Sequence, residues 1–167
     1  MLHVNAMLTI EQKYDYCQKM YRIAGLGMKL YNELGPGYAE AIYQECLAIL
    51  CEENGVKCER EKQLHMVFHG HHLAKEYIAD FVCYDDIIVE LKATRQLLGE
   101  HRAQLFNYLR ITCLHAGVLM NFGEEDRVHI ERYLYNPSTN KYDLIHGNGG
   151  FHPTNYPGTN IPYDSLR

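Results

Sequence analysis

No stretch of the chain approaches the roughly eighteen consecutive apolar residues that a membrane-spanning helix needs, so no membrane partner is expected. The opening residues MLHVNAMLTI have no basic n-region and no long apolar core, which argues against a signal peptide. The six cysteines (Cys17, Cys46, Cys51, Cys58, Cys83 and Cys113) include no CxxC pair, and their spacing matches no zinc module. They read as reduced thiols of a cytosolic or nuclear protein, several of them core filler, with the cytoplasm the expected location; the sequence leaves disulfides open. An excess of positive charge is also lacking. The net charge of −5 argues against a basic coat for bulk nucleic-acid binding and leaves room for a local basic cleft.

What is present suits one domain with a sizeable core: 167 residues, 47% apolar and 22% charged. Thr9 and Gln12 fit a capping box that starts a helix. Tyr14, Cys17, Tyr21, Ala24, Met28 and Tyr31 recur at helical spacing and predict its buried face. Leu34-Gly35-Pro36-Gly37 stops it. A second helix is predicted from about Tyr38 to Asn54, with Ile42, Cys46, Ile49 and Leu50 as its apolar stripe and Gly55 past its end. An extended, partly exposed strand then runs to a Gly-containing turn. Two further strands, YIADFVCY and IIVELKA, follow around a turn at Asp85-Asp86. A helix from about Gly99 to Thr112 precedes the strands AGVLMNF and RVHIERYLY. A strand–helix–strand step implies a parallel pair inside a mixed sheet, hence an α/β fold with a mixed central sheet flanked by helices. Residues 136–167 hold four of the five prolines and little periodicity. They read as an irregular tail appended to a domain of residues 1–135.

The chemistry concentrates in residues 77–93. Glu90 and Lys92 share one face of a strand whose Ile87-Ile88-Val89 run marks it as central, where charge is costly unless paired or bound to a metal. A two-residue turn at Asp85-Asp86 would set Asp80 opposite Leu91, on the wrong face. A three-residue loop or a bulge would set it opposite Glu90. With that register two carboxylates and an ammonium converge, a donor set suited to Mg²⁺ or Mn²⁺. Such an ion acidifies a bound water and neutralises phosphate charge, and a neighbouring lysine stabilises developing negative charge. These are the needs of phosphodiester hydrolysis. The bland alternative is an ion pair on an exposed sheet face.

Asp80 followed by Glu90-x-Lys92 resembles the motif of the PD-(D/E)xK nuclease superfamily, with Ala79 where the naming proline would precede the aspartate. GYAEAIY at 37–43 resembles the signature of the GxxExxY proteins of that superfamily. Gln104-x-x-x-Tyr108 resembles the QxxxY motif of RecB-type nucleases, and LMNFG at 119–123 resembles the strand that follows. The resemblance covers about residues 10 to 135. It implies a restriction-endonuclease-like core and a metal-dependent nuclease with Mg²⁺ or Mn²⁺ as cofactor. In that reading Asp80 and Glu90 bind the metal, with the main-chain carbonyl of Leu91 as a further ligand. Glu40 completes the site directly or through water, and Lys92 stabilises the attacking water or the transition state. Gln104, Tyr108 and His101 form a polar helix stripe supporting the site, and Tyr43 packs or supports behind it. Arg95, Arg102 and Arg110 contact phosphate. The implied partner is nucleic acid, DNA in preference to RNA, and a homo-oligomer is left open. The competing reading is a non-cleaving member that binds nucleic acid or a protein partner. His65 and the His69-Gly70-His71-His72 turn read as solvated surface histidines, and Cys113 alone after Tyr108 argues against an iron–sulfur cluster.

Overall fold

The computed structural model of the chain describes residues 7–146 and the two residues 156–157. Helices α1 (Ile10–Leu34) and α2 (Glu40–Glu53) precede strands β1 (Cys58–Phe68), β2 (His71–Cys83) and β3 (Ile87–Lys92). Helix α3 (Gly99–Thr112) then leads to β4 (Ala116–Asn121), β5 (His129–Asn136), β6 (Lys141–Leu144) and the two-residue β7 (Tyr156–Pro157). The strands form one mixed sheet in sequence order, β1 to β7. Its parallel pair is β3–β4, and α3 is the crossover between them. Among the described residues no helix is long and apolar enough to cross a membrane.

Helices α1 and α2 cover one face of the sheet, where Met20, Ile23, Tyr43 and Leu47 pack with Phe81, Val89, Leu91 and Met120. Helix α3 covers the other, where Leu105 and Leu109 pack with Ile88, Leu119 and Tyr133. The capping box is formed: Gln12 N–H donates to Thr9 Oγ1 at 3.2 Å and Thr9 N–H to Gln12 Oε1 at 2.8 Å.

Each helix buries part of the stripe that the apolar periodicity favours (Cys17, Ala24 and Tyr31 in α1, Leu50 in α2) and rotates the rest outward. In α1 the buried arc runs through Cys17, Met20, Ile23, Ala24, Gly27, Leu30 and Tyr31, while Tyr14, Tyr21 and Met28 are exposed. A Cβ at Gly27 would lie 2.6 Å from Met120 Sδ, so this arc lets the sheet approach closely. In α2 the buried residues are Tyr43, Leu47, Leu50 and Cys51, and Ile42 and Ile49 face outward. Each helix carries two overlapping apolar stripes, and packing on the sheet selects one.

The β1–β2 hairpin bends at its middle. Ala79 and Phe81 are two apart, yet they are buried on opposite sides of the sheet. The pairing skips Glu61 and Asp80, and Glu61 adopts a left-handed φ of 51°. Beyond the bend the hairpin is mostly exposed. At its base Cys58 and Cys83, directly opposed in register, are joined as a disulfide, which corrects the reading of all six cysteines as thiols. Cys17, Cys46, Cys51 and Cys113 remain free. The hairpin creates this pair, and a separation of 25 residues does not announce it.

Within the segment read as an irregular tail, residues 141–144 form β6, and Tyr142 is buried against Phe106 and Tyr135 with ring centroids 4.1 and 4.7 Å away. Residues 147–155 and 158–167 of that segment lie outside the described residues.

Candidate metal centre and active site

Tyr84, Asp85 and Asp86 form a three-residue loop between β2 and β3, with Tyr84 and Asp85 at φ 53° and 67°. The irregularity that the motif requires is therefore present. The ladder pairs Cys83 with Ile87, Val82 with Ile88 and Phe81 with Val89. Its next step sets Asp80 opposite Glu90. There the two strands part, and side chains replace the ladder. Asp80 N–H donates to Glu90 Oε1 at 3.1 Å, and Leu91 N–H donates to Asp80 Oδ2 at 2.7 Å. Lys92 Nζ lies 3.9 Å from Glu90 Oε2.

Glu90 is 1% exposed. Burial, and then the charge of Asp80, push its carboxyl up to about 8. Burial raises Asp80 as well, against the Leu91 N–H and Lys92, which favour the ionised form. Glu40, the first residue of α2, is raised by burial, while Lys92 favours its charge and Ala93 N–H donates to it. Three carboxyls thus share one field, and burial disfavours charge on each.

Gln44, absent from the sequence-predicted set, donates from Nε2 to Asp80 Oδ1 at 2.8 Å. The available signal was its place four residues after Glu40, on the same helix face. Asn121 is a second such residue. It is fully buried, accepts from Thr94 N–H at 2.9 Å and donates to Thr94 O at 2.9 Å. Phe122 N–H donates to Lys92 O at 2.8 Å. A Cβ at Gly123 would lie 2.3 Å from Thr94 O, so only glycine lets the chain pass there. Together these contacts fix the backbone that follows Lys92.

The remaining predicted residues divide. Tyr43 is fully buried, stacks on Phe122 at 4.6 Å and donates to Gly35 O at 2.7 Å, tying the α1–α2 turn that positions Glu40. Gln104 donates to Tyr108 OH at 3.0 Å on the face of α3 toward the acids. Burial raises Tyr108, and the carboxylates of Glu90 and Asp80 add to that. His101 Nδ1 accepts from Leu98 N–H at 3.0 Å, capping α3, while burial and Lys92 lower its pKa. Arg95 and Arg110 are exposed. Arg102 is not available to phosphate. It is 4% exposed and grips Glu131 through Nε at 2.8 Å and Nη2 at 2.5 Å. This corrects its assignment as a phosphate contact, because a buried guanidinium needs a fixed acid and β5 supplies it. The His65–His72 turn is exposed.

Among the described residues no three His, Cys, Asp or Glu side chains form a ready-made metal cage. The donor chemistry nonetheless suits a hard divalent cation: oxygen ligands from two strand ends, and carboxyls whose ionisation burial opposes until a cation offsets it.

A family model described as the PD-(D/E)XK nuclease superfamily matches residues 17–133. The solved structure of SSO0001 is similar at 19% sequence identity and a TM-score of 0.43; the match covers 70% of this chain and 61% of that one, so this chain spans about three fifths of its length. No curated protein matches.

Proposed function

Because the chain belongs to the PD-(D/E)XK nuclease superfamily, we propose that it is a divalent-metal-dependent nuclease that hydrolyses phosphodiester bonds of nucleic acid, DNA in preference to RNA. One observation carries the reading: Asp80, Glu90 and Lys92 meet where β2 and β3 part, at a site where burial disfavours the charge of both acids. Within the superfamily, the Gly37–Tyr43 and Gln104–Tyr108 segments support placement with the GxxExxY and RecB-like proteins.

Asp80 and Glu90, with the Leu91 carbonyl and Glu40 directly or through water, would hold Mg²⁺ or Mn²⁺. When bound, that ion supplies a water acidic enough to attack phosphorus and charge neutralisation at the phosphate. Lys92 is held near Glu90 and sits where its ammonium offsets negative charge on the attacking oxygen or the phosphoryl oxygens. Gln44 fixes one oxygen of Asp80, leaving the carboxylate a single orientation. Tyr108, oriented by Gln104, closes the side toward α3. The Asn121–Thr94 clamp holds Lys92 and Ala93 in place against substrate.

The test is cleavage of labelled DNA and RNA in Mg²⁺ or Mn²⁺ by the wild type, Asp80→Ala and Lys92→Ala. Loss of cleavage in both variants, with unchanged thermal melting midpoints within a few degrees, is expected. Equal cleavage by the variants refutes the mechanism. A binding-only member is the second reading, favoured by the sequestration of Arg102; it predicts nucleic-acid binding by wild type and variants alike, without products.

A further inference from the structure

Helix α3 carries a second track beside Gln104 and Tyr108. Asn107, Arg110 and Ile111 fall at i, i+3 and i+4, one stripe of the helix running away from the acids. Opposite them stand Met66 of β1 and Tyr77 of β2, and the five residues line a cleft of about 370 Å³. Two features show how the cleft is built. The pairing of β1 with β2 shifts between His65 and Val67, an irregularity centred on Met66 of the kind that re-aims a side chain. The Tyr77 ring meets Tyr108 edge-on, with centroids 6.0 Å apart and planes at 65°. Tyr77 is thus braced by the residue that also borders the acids. It lies three residues before Asp80, about 10 Å along the strand, or about three stacked nucleotides.

We infer that this cleft binds single-stranded nucleic acid, holding an unpaired base against Tyr77 a few nucleotides from the scissile phosphate. The inference rests on the nuclease reading and names its substrate class. The chemistry is that of a nucleotide. An aromatic ring offers a stacking platform, and Met66 and Ile111 offer apolar walls. The Asn107 amide can meet a base edge, and the exposed Arg110 can meet a phosphate. A base inside a duplex has both faces covered by its neighbours, so a stacking platform of this kind selects unpaired strands. The net charge of −5 disfavours binding by charge alone, which leaves stacking as the main source of affinity.

The experiment is fluorescence anisotropy of the full chain with labelled oligo-dT and oligo-U of about 12 nucleotides and a mixed-sequence duplex of the same length, in chelator, so that binding is read without the metal site. Either single strand should bind more tightly than the duplex. Tyr77→Ala should weaken that binding about tenfold or more, while Tyr77→Phe, which keeps the ring, stays close to wild type. Arg110→Gln should lower the slope of log affinity against log salt by about one. Circular dichroism of each variant checks that it is folded. Duplex bound as tightly as single strand, or Tyr77→Ala and Tyr77→Phe binding alike, overturns the inference. Metal-dependent cleavage that persists equally in Tyr77→Ala on both substrates removes the cleft and leaves the nuclease reading standing. Tyr77-dependent single-strand binding without cleavage in any metal does the reverse.

Discussion

Replacing Glu90 with glutamine should make the metal-free protein more stable, and increasingly so as pH rises. In the folded chain the Glu90 carboxyl is pushed up to about 8 by burial and by Asp80, whereas its ordinary value is 4.5. Between those two values the folded chain holds a proton that the unfolded chain has released. Folding stability therefore falls as pH rises through this window, and the whole loss is in place above pH 8. The gap corresponds to a ceiling of about 5 kcal/mol, at about 1.36 kcal/mol per pH unit. Glutamine has no charge to desolvate, and its amide oxygen can still accept the Asp80 N–H that Glu90 Oε1 accepts. At pH 5 the two proteins should differ by about 1 kcal/mol or less, since Glu90 is protonated in the fold there. At pH 9 the Gln variant should lead by a few kcal/mol, which for a chain of this size raises the melting temperature by roughly 2–4 °C per kcal/mol. Urea denaturation in chelator at both pH values measures the difference; titrations remote from the site cancel between the two proteins, and those of Asp80 and Glu40, which share the field of Glu90, form part of the effect. A variant less stable than wild type at pH 9, or a difference that does not change with pH, refutes the reasoning that Glu90 is held against its own ionisation.

Two further outcomes follow from the contacts around the site. Gln44→Ala frees Asp80 Oδ1 from the side-chain donor that holds it, so Mn²⁺ affinity should fall about tenfold or more while the fold is kept; calorimetric titration measures it, and an unchanged affinity counts against the positioning role. Arg102→Ala leaves Glu131 buried without its bidentate partner and should cost about 3–5 kcal/mol in urea unfolding, far more than loss of a surface phosphate contact. Burial alone would raise Glu131, but hydrogen bonds from His129, Arg102 and Tyr133 outweigh it and hold the carboxyl down at about 2. Its share of stability is present above its ordinary value of 4.5 and is lost as pH falls toward 2.

The hairpin that carries the acids was legible because its demands are local. Two charges in a run of Ile and Val, with a fixed strand period, left one register that brings Asp80 to Glu90, and the Tyr84–Asp86 loop provides it. The parallel β3–β4 step was legible for a similar reason, since an intervening helix of α3's length leaves a parallel crossover as the favoured connection. The buried stripes of α1 and α2 were legible only in part, through Cys17, Ala24, Tyr31 and Leu50. Tyr14, Tyr21 and Ile42 are as apolar as the residues chosen for burial, and the choice was made by Met120 seated over Gly27 and by Tyr43 stacked on Phe122. Arg102 illustrates the same limit for charge: its acid comes from β5, 29 residues away, and no local pattern separates it from the exposed Arg110. β6 escaped because its four residues lie in a Pro- and Asn-rich context, and its stability comes from Tyr142 stacking on Phe106 and Tyr135.

A crystal of the protein soaked in Mn²⁺ and measured at the manganese absorption edge is the most direct measurement. One anomalous peak between the Asp80 and Glu90 carboxylates and the Leu91 carbonyl, lost in Asp80→Asn, is the result this account predicts. Manganese found elsewhere, or no peak at these groups at saturating metal, contradicts it.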